Sequence, residues 1–555
     1  MQVTPSQLGL QIYKKMFIQS KNCATLVISG AHFSRVILKI YNFHTAQYSG
    51  GRRYFNERRM VLTNCLSDAD VKSAPKVAVH SDAAIPLVVD MDGTFCLTDT
   101  LHEGVLAIVA QQPRRVFEII QWLREDKAVF KQRVADLLVL DGDDLPRREE
   151  VVDYIADARA QGRQVLLVSA AAQRQVDAVA SATDLFDEAV GTDGETNLAG
   201  QAKADWLVNR FGHGGYDYIG DSEADLVVWA HARRAIVVGP STQVDRRLTT
   251  MDVPTVRLDE KPVATTHVKA AIKAMRPHQW LKNLLVLVPA IAAHNAAALG
   301  PSFAAMFAFC LAASAIYIVN DMLDLQADRR HPRKCNRPFA AGTLPVAFGA
   351  GLAAGLLCIS ALIAVLVAPL FLAVLAGYIV LTTIYSVYLK RKVMIDIWLL
   401  GALYTTRIVA GGAASGVVLS EWLLAFSMFL FLSLAAVKRQ SELADMVSRG
   451  VLLADGRDYR TSDIPVVLGV VLSAGYCSVL VLALYISGEA VRGLYQNPAV
   501  LWLACPLLLY WISRAAIISF RGELDDDPIV FALKDKVSRG IFIIFAALFI
   551  FGAVM

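Results

Sequence analysis

The sequence predicts a multidomain chain, a soluble α/β module with a parallel sheet followed by an all-α polytopic membrane module of nine transmembrane helices. Three observations carry that expectation. Hydrophobic residues make up 55% of the 555, yet long apolar spans begin only after about residue 280. Between residues 85 and 240, short apolar runs of strand type alternate with helical stretches and end in acidic or hydroxyl residues. The stretch Asn320–Pro338 then sets three aspartates and a run of basic residues at the end of an apolar span. The net charge of +4 and the lack of a basic patch interleaved with aromatics argue against nucleic acid as a partner. The eight cysteines are scattered, with no C-x-x-C pair, so neither a zinc site nor a disulfide framework is expected.

Residues 1–80 form a poorly defined N-terminal segment without a clean apolar core and cleavage site, so they do not read as a signal peptide. Either Met60 is the natural start, or the preceding residues are a basic arm lying on anionic lipid.

The soluble module is expected over residues 81–262. Ile85-Pro-Leu-Val-Val-Asp90 is a buried-type strand that delivers Asp90-Met-Asp92-Gly-Thr94 into a turn. Two carboxylates two residues apart at a strand end can divide labour, one attacking phosphorus and the other handling the leaving-group proton. Gln164–Ser169 is a second such strand ending in a hydroxyl. Lys203 follows, and Tyr216–Gly220 leads into Asp221-Ser-Glu-Ala-Asp225. Between the first two motifs, helical stretches at 101–109, 115–123 and 129–138 predict a small helical cap, and Gly142-Asp-Asp144 reads as a capping turn rather than a metal site.

In order and kind, these motifs resemble the haloacid dehalogenase superfamily of phosphotransferases. The resemblance implies a Rossmann-like parallel sheet and an Mg²⁺-dependent phosphatase. Asp90 would be the nucleophile and Asp92 the general acid/base. Thr94, Ser169 and Lys203 would bind the phosphoryl group, and Asp90, Asp92 (through its carbonyl), Asp221 and, in support, Asp225 would form the metal site.

The membrane module is expected over residues 263–555. Apolar spans lie near 280–299, 302–320, 345–366, 370–388, 394–414, 417–437, 464–487, 497–519 and 538–554, each close to the ~20 residues that cross hydrocarbon. Basic residues gather in the loops after the even-numbered spans, which places those loops, the aspartate cluster and the soluble module on the cytoplasmic side. Asp321, Asp324 and Asp328 stand three and four residues apart, which on a helix puts them on one face. Carboxylates there need cations; Mg²⁺ carrying a substrate phosphate is the expected partner. The basic run Arg329, Arg330, Arg333, Lys334 and Arg337 is expected to supply phosphate contacts, beside a share of ordinary solvated, positive-inside loop charge. Asp396 and Arg407, eleven residues apart, share a face within one span and read either as cavity-lining groups or as residues paired within the helix bundle.

Asn320-Asp-x-x-Asp-x-x-x-Asp328 after the second span and Arg276-Pro-x-x-Trp-x-Lys282-Asn283 before the first resemble the UbiA superfamily of intramembrane prenyltransferases. Tyr385-x-x-Tyr-x-Lys390, Asp396 to Arg407, and Lys438-Arg439-x-x-Glu442 are more similar to its decaprenyl-phosphate phosphoribosyltransferase branch. Where prenyl-donor members carry a second aspartate-rich motif, this chain has a basic pair with only two acids. The resemblance implies a bacterial-type inner (cytoplasmic) membrane enzyme using a second, separate Mg²⁺ site. It would transfer 5-phosphoribosyl from phosphoribosyl diphosphate to polyprenyl phosphate, and the phosphatase would remove the 5-phosphate. Asp321, Asp324 and Asp328 would hold metal, with Lys282, Asn283, Asn320, Lys334, Arg337, Tyr385, Lys390, Asp396, Arg407, Lys438 and Arg439 around the substrates. Two alternatives stay open: prenylation of an aromatic acceptor beside an independent phosphatase, and carriage of a lipid phosphate across the bilayer. Oligomeric state and polyprenyl length are not legible.

Overall fold

The protein is described from a computed structural model, which covers residues 85–554 apart from 194–196, 240, 259–262, 451–457 and 525–527. The expectations for residues 1–80, including Met60, lie outside the described residues.

Six short strands form one all-parallel sheet: β1 (Leu87–Val89), β2 (Val165–Ala172), β3 (Glu188–Thr192), β4 (Asp217–Gly220), β5 (Arg234–Val237) and β6 (Thr255–Arg257), in the order β3-β2-β1-β4-β5-β6. Leu87 pairs with Val165 on one side and Asp217 on the other, which makes β1 central. Its three apolar side chains are fully buried. Leu87 and Val89 enter one core layer and Val88 the opposite one. That is why the run is apolar throughout rather than alternating: both faces are covered. The chain winds outward from β1 through β2 to β3, then returns to build β4, β5 and β6 on the other side. The order therefore reverses between β1 and β4, where open α/β sheets place their ligand crevice beyond the strand C-termini.

At the opposite end of the sheet, Asp217 is fully buried between two arginines. Arg163 Nη2 donates to its Oδ2 at 2.6 Å, and Arg233 donates Nε to Oδ1 at 2.8 Å and Nη2 to Oδ2 at 2.6 Å. Arg163 also binds the Ile85 carbonyl at 2.9 Å, pinning the chain's entry into β1.

Helices α1 (Thr100–Gln111), α2 (Val116–Trp122) and α3 (Lys127–Leu137) follow β1 as a separate layer with its own small core of Ile108, Ile119, Phe130 and Val134. These are the three helices the sequence predicts for a cap. Gly142–Asp144 is a 3-10 turn capped by the Asp141 side chain, as the sequence reading holds.

In the helical part, α4 (Val263–Met275) and the 3-10 stretch Pro277–Leu287 lead to α5 (Val288–Ala292). Then come α6 (Leu299–Leu323), α7 (Leu325–Arg330), α8 (Val346–Val367), α9 (Pro369–Val387), α10 (Ile395–Ser415), α11 (Glu421–Ser448), α12 (Ile464–Ser487), α13 (Ala504–Phe520) and α14 (Lys536–Val554). Among the described residues eight helices are long and apolar enough to cross a membrane, not nine. The difference is the stretch expected as a first span at 280–299. Pro277 just before it and Pro289 within it lack donors, and His294 takes a left-handed backbone with φ 49°. The residues are apolar but fold as tight turns and a five-residue helix. The sixth span also differs: Glu421–Ser448 continues as helix well past the apolar stretch, which sets Arg439 and Glu442 on a rigid element.

Hydroxyls in the spans bond to backbone carbonyls, Ser360 to Ala308 and Ser433 to Val471, both at 2.7 Å. Elsewhere small residues let helices approach closely. The sheet part and the helical part are packed together. Leu106 of α1 joins the core formed by Ala274, Met322, Leu325 and Phe339. Gly342, with φ +68°, lies so close to Leu97 that a Cβ would meet that side chain at 2.6 Å, so only glycine fits.

Replacing Asp217 with Ala should destabilise the sheet part by about 3–5 kcal/mol, because Arg163 would be left buried without its carboxylate. Pulse proteolysis in urea measures this, and a loss below about 1 kcal/mol would mean that water reaches the cluster and compensates.

Two candidate carboxylate sites and the joint between them

The C-terminal ends of β1 and β4 gather the acids. Asp90, Asp221 and Asp225 each offer an oxygen, and these oxygens lie within 4.8 Å of one another; no other such group occurs among the described residues. Lys203 Nζ donates to Asp90 Oδ1 at 2.7 Å and to the Tyr218 hydroxyl at 3.0 Å. Tyr218 in turn donates to Asp225 Oδ1 at 2.7 Å. The other Asp225 oxygen accepts from the Asp221 and Ser222 N–H groups and the Ser222 hydroxyl, so Asp225 is chiefly the post that shapes the Asp221 loop. Gly93 has φ +79°, and a Cβ there would meet Asp221 Oδ2 at 2.5 Å; this glycine lets the two carboxylate loops touch.

Crowded carboxylates in a dry pocket resist ionisation. Burial, then the neighbouring acids, pushes Asp221 up to about 8, and burial with Asp225 nearby outweighs Lys203 to bring Asp90 to about 6. Burial and the charge of Asp99 raise Asp92 to about 7, the range of a group that both gives and takes a proton near neutrality. Asp92 accepts from the Thr100 N–H at 3.0 Å, at the first turn of α1. Three converging oxygens, with burial opposing the charge on Asp90 and Asp221, fit a divalent cation, which would favour the charged forms of those two.

Thr94 donates to Asp221 Oδ1 at 3.2 Å, and Ser169 is buried, its hydroxyl taking the Ala171 N–H at 3.1 Å. A residue missing from the sequence reading joins them. Lys131 of α3 reaches over to the Ala170 carbonyl at 2.7 Å and Asn197 Oδ1 at 2.9 Å, beside Ser169. Nothing in its helical surroundings marks it; only the fold brings it there. Arg148, also unmarked, holds the Gly93 carbonyl at 3.0 Å.

The second cluster lies at the end of α6. The three aspartates are not on one helix face, because α6 stops at Leu323, Asp324 takes a non-helical turn, and α7 carries Asp328. Arg337 bridges the break. Its Nη1 donates to Asp321 Oδ1 at 3.1 Å and to Asp328 Oδ2 at 2.5 Å. Arg276, which the sequence reading names in the motif before the first span without giving it a role, donates to Asp321 Oδ1 at 2.5 Å. Asp324 is held apart from them by Lys390, at 3.0 and 3.2 Å. Asp321 Oδ2 is buried and has no hydrogen-bond partner among the described residues. An orphaned carboxylate oxygen among arginine-bridged acids suits a metal ligand at Asp321, although the oxygens of Asp321, Asp324 and Asp328 do not converge as those of the first cluster do.

A third set lies deeper. Arg407 is buried, donating to Asn283 Oδ1 at 2.9 Å, the Leu403 carbonyl at 2.5 Å and the Tyr378 hydroxyl at 3.1 Å, beneath the rings of Phe309, Tyr378 and Tyr404. Lys282 sits over the Tyr404 ring at 5.8 Å. Arg407 and Asp396 do not share a network. Asp396, fully buried, takes the Tyr459 hydroxyl at 2.6 Å and lies 2.5 Å from Arg439 Nη2, and Arg439 also contacts Glu442. Asp396 and Arg439 form an ion pair that joins α10 to α11, and Arg439 Nε stays buried without a hydrogen-bond partner among the described residues. Tyr385 and Lys438 are half-buried, Asn320 faces the joint described next, and Lys334 stays exposed.

The first two arginines of the basic run do not face the aspartates. Arg329 grips Glu103 of α1 with both terminal nitrogens, at 2.7 and 2.5 Å, and both side chains are buried. Glu103 is further held by Thr98 at 2.5 Å. Arg330 binds Asp144 at 2.6 and 2.9 Å. These charges dock the cap on α7 instead of contacting a phosphate, a pairing of residues 226 positions apart that no local pattern reveals.

Residues 284–552 match the model of the UbiA prenyltransferase family. An uncharacterised protein of Sinorhizobium fredii, y4nM, is 36% identical over 474 residues, spanning 84% of this chain and 91% of that protein. The nodulation protein NoeC of Azorhizobium caulinodans is 37% identical over 271 residues, 48% of this chain and 87% of its own length. The decaprenyl-phosphate phosphoribosyltransferase of Mycolicibacterium smegmatis is 41% identical over 185 residues, which are 32% of this chain and 58% of that enzyme. With apolar helices long enough to span a bilayer and this match across its C-terminal part, the chain is a multi-pass membrane protein that belongs to the UbiA prenyltransferase family.

Proposed function

We propose that the helical part transfers 5-phosphoribosyl from phosphoribosyl diphosphate to a polyprenyl phosphate, and that the sheet part, acting as a haloacid dehalogenase-like phosphatase, removes the 5-phosphate. The module boundaries are 81–262 and 263–555, and both sites lie on the cytoplasmic face of a bacterial-type inner membrane. The observation that carries the reading is the abundance of cations about one carboxylate cluster. Arg276, Arg337 and Lys390 surround Asp321, Asp324 and Asp328, and Lys282 and Arg407 stand deeper among aromatic rings. A diphosphate donor plus a phosphorylated acceptor asks for that balance; a single prenyl diphosphate with an uncharged aromatic acceptor asks for less. The names of the phosphoribosyltransferase relatives point the same way.

Mg²⁺ held by Asp321, Asp324 and Asp328 would offset charge on the departing diphosphate. The acceptor phosphate is already anionic near neutrality, so no general base is needed. Arg276 and Arg337, which neutralise the carboxylates here, would turn toward the diphosphate as donor binds. In the sheet part, Asp90 attacks the 5-phosphate, Lys203, Ser169 and Thr94 hold its oxygens, and Asp92 passes the proton to the leaving alkoxide. Lys131, from the cap, adds a cation beyond the phosphoryl group.

Incubating purified protein with ribose-labelled phosphoribosyl diphosphate, polyprenyl phosphate and Mg²⁺ should label the lipid, and mass spectrometry should find it without the 5-phosphate. Asp321→Asn should abolish labelling, whereas Asp90→Asn should leave labelling intact and the 5-phosphate in place. An unlabelled lipid from the wild type, with efficient prenylation of 4-hydroxybenzoate, would overturn the reading.

Arg407→Lys keeps a charge but loses the fork that binds Asn283 and Tyr378 together. It should raise the KM for the ribosyl donor or the lipid phosphate about tenfold, the scale of one lost charge-assisted hydrogen bond. Unchanged kinetics would assign Arg407 to packing.

A further inference from the structure

A cavity of about 390 Å³ lies at the joint between the cap and the aspartate cluster. One wall is α1, with Glu103, Leu106 and Ala110; the other is the end of α6 with α7 and the loop after α9, with Asn320, Asp324 and Lys390. The lining is mixed. Leu106, Val109, Leu323 and Val387 are apolar, while Asp324, Gln326 and Lys390 are polar or charged. The same helix reaches the other site, because the Thr100 N–H at its start holds Asp92. Glu103 to Gln111 thus runs from about one to about three turns away from the catalytic acid/base, under ~17 Å at 1.5 Å per residue. The buried Arg329–Glu103 pair and the Arg330–Asp144 pair fix the two walls against each other, so the cavity is a built feature of the joint.

Resting on the function proposed above, we infer that this cavity is a holding chamber for the product of the first reaction on its way to the second. It takes an amphipathic phosphate ester, a sugar phosphate linked to a lipid, and keeps it between the carboxylate sites rather than releasing it. The ligand class follows from the walls. Lys390, at the aspartate cluster, meets an anionic group, and the apolar residues meet the first part of a hydrocarbon chain or a sugar face. The start of α1 holds Asp92, so the chamber lies within a few turns of one helix from the phosphatase acids. No bond is made or broken in the chamber, and the joint's role is to raise the local concentration of the intermediate at the phosphatase.

Ala110 and Ala327 face the cavity from opposite walls and bring no polar side chain to either reaction. The test uses the full chain with Ala110→Trp and, separately, Ala327→Trp, which fill the space. Both variants should label lipid from ribose-labelled phosphoribosyl diphosphate at the wild-type rate and hydrolyse p-nitrophenyl phosphate at the wild-type rate. Yet an excess of unlabelled polyprenylphosphoryl-ribose 5-phosphate, added during turnover, should dilute the label in their final product about tenfold, since the advantage of tethering is lost. The wild type should resist that dilution. Full dilution in the wild type, or none in either variant, would overturn the inference while leaving the two activities standing. A wild type that labels lipid but never removes its 5-phosphate would overturn the proposed phosphatase role, and the chamber with it.

Discussion

Carboxylates placed at the edge of an apolar layer must be matched by cations, and that constraint organises this structure. Asp321, Asp324 and Asp328 sit where a membrane-spanning helix ends, and each is met by an arginine or lysine from elsewhere: Arg276 between α4 and the 3-10 stretch, Arg337 beyond the break, Lys390 from the loop after α9. An unmatched charge at such a place costs several kcal/mol. Three separate segments are thereby drawn to one end of the bundle, and the space they frame is where phosphates are most easily received. The sheet part solves the same problem with one lysine. Lys203 alone faces Asp90, with Asp221 and Asp225 beside it, and the high proton affinity of Asp221 records how much positive charge that pocket still accepts.

The joint is built from the same currency of charge but to a different end. Arg329 and Arg330 are adjacent to Asp328 yet turn away from it, and Glu103 with Asp144 holds them. A bidentate guanidinium–carboxylate pair that is buried on both sides fixes orientation more than it adds stability. Here it sets α1, whose first N–H positions Asp92, against α7, which carries Asp328.

Much of this was legible in the residues. Apolar runs ending in Asp90, Ser169 and Asp221 gave β1, β2 and β4, because strands buried on both faces need no alternation to be recognised. The cap helices and the later spans followed from periodicity and length. The failures have physical reasons. The stretch at 280–299 has the composition of a span, but Pro289 and the left-handed His294 break it, and mean composition does not register where one missing donor or one turned residue falls. The aspartate spacing suggested one helix face; the helix instead ends at Leu323, and Arg337 restores the proximity through space. Lys131, the tie of Arg276 to Asp321 and the Arg329–Glu103 pair were invisible because their partners are distant in sequence. Asp396 and Arg407 share a helix and look alike in sequence, but one is matched by Arg439 and Tyr459 and the other by Asn283 and Tyr378.

The proposal at the centre of this account is that two separate carboxylate clusters in this chain would each take a divalent cation. Binding of Mn²⁺, used in place of Mg²⁺ and followed by electron paramagnetic resonance on the full chain in nanodiscs, tests it without reference to any substrate. The account predicts two classes of bound ion, one lost in Asp221→Asn and the other in Asp321→Asn, each variant keeping the class that the other loses. Binding that is unchanged by Asp321→Asn, or both classes lost together in Asp221→Asn, would contradict it.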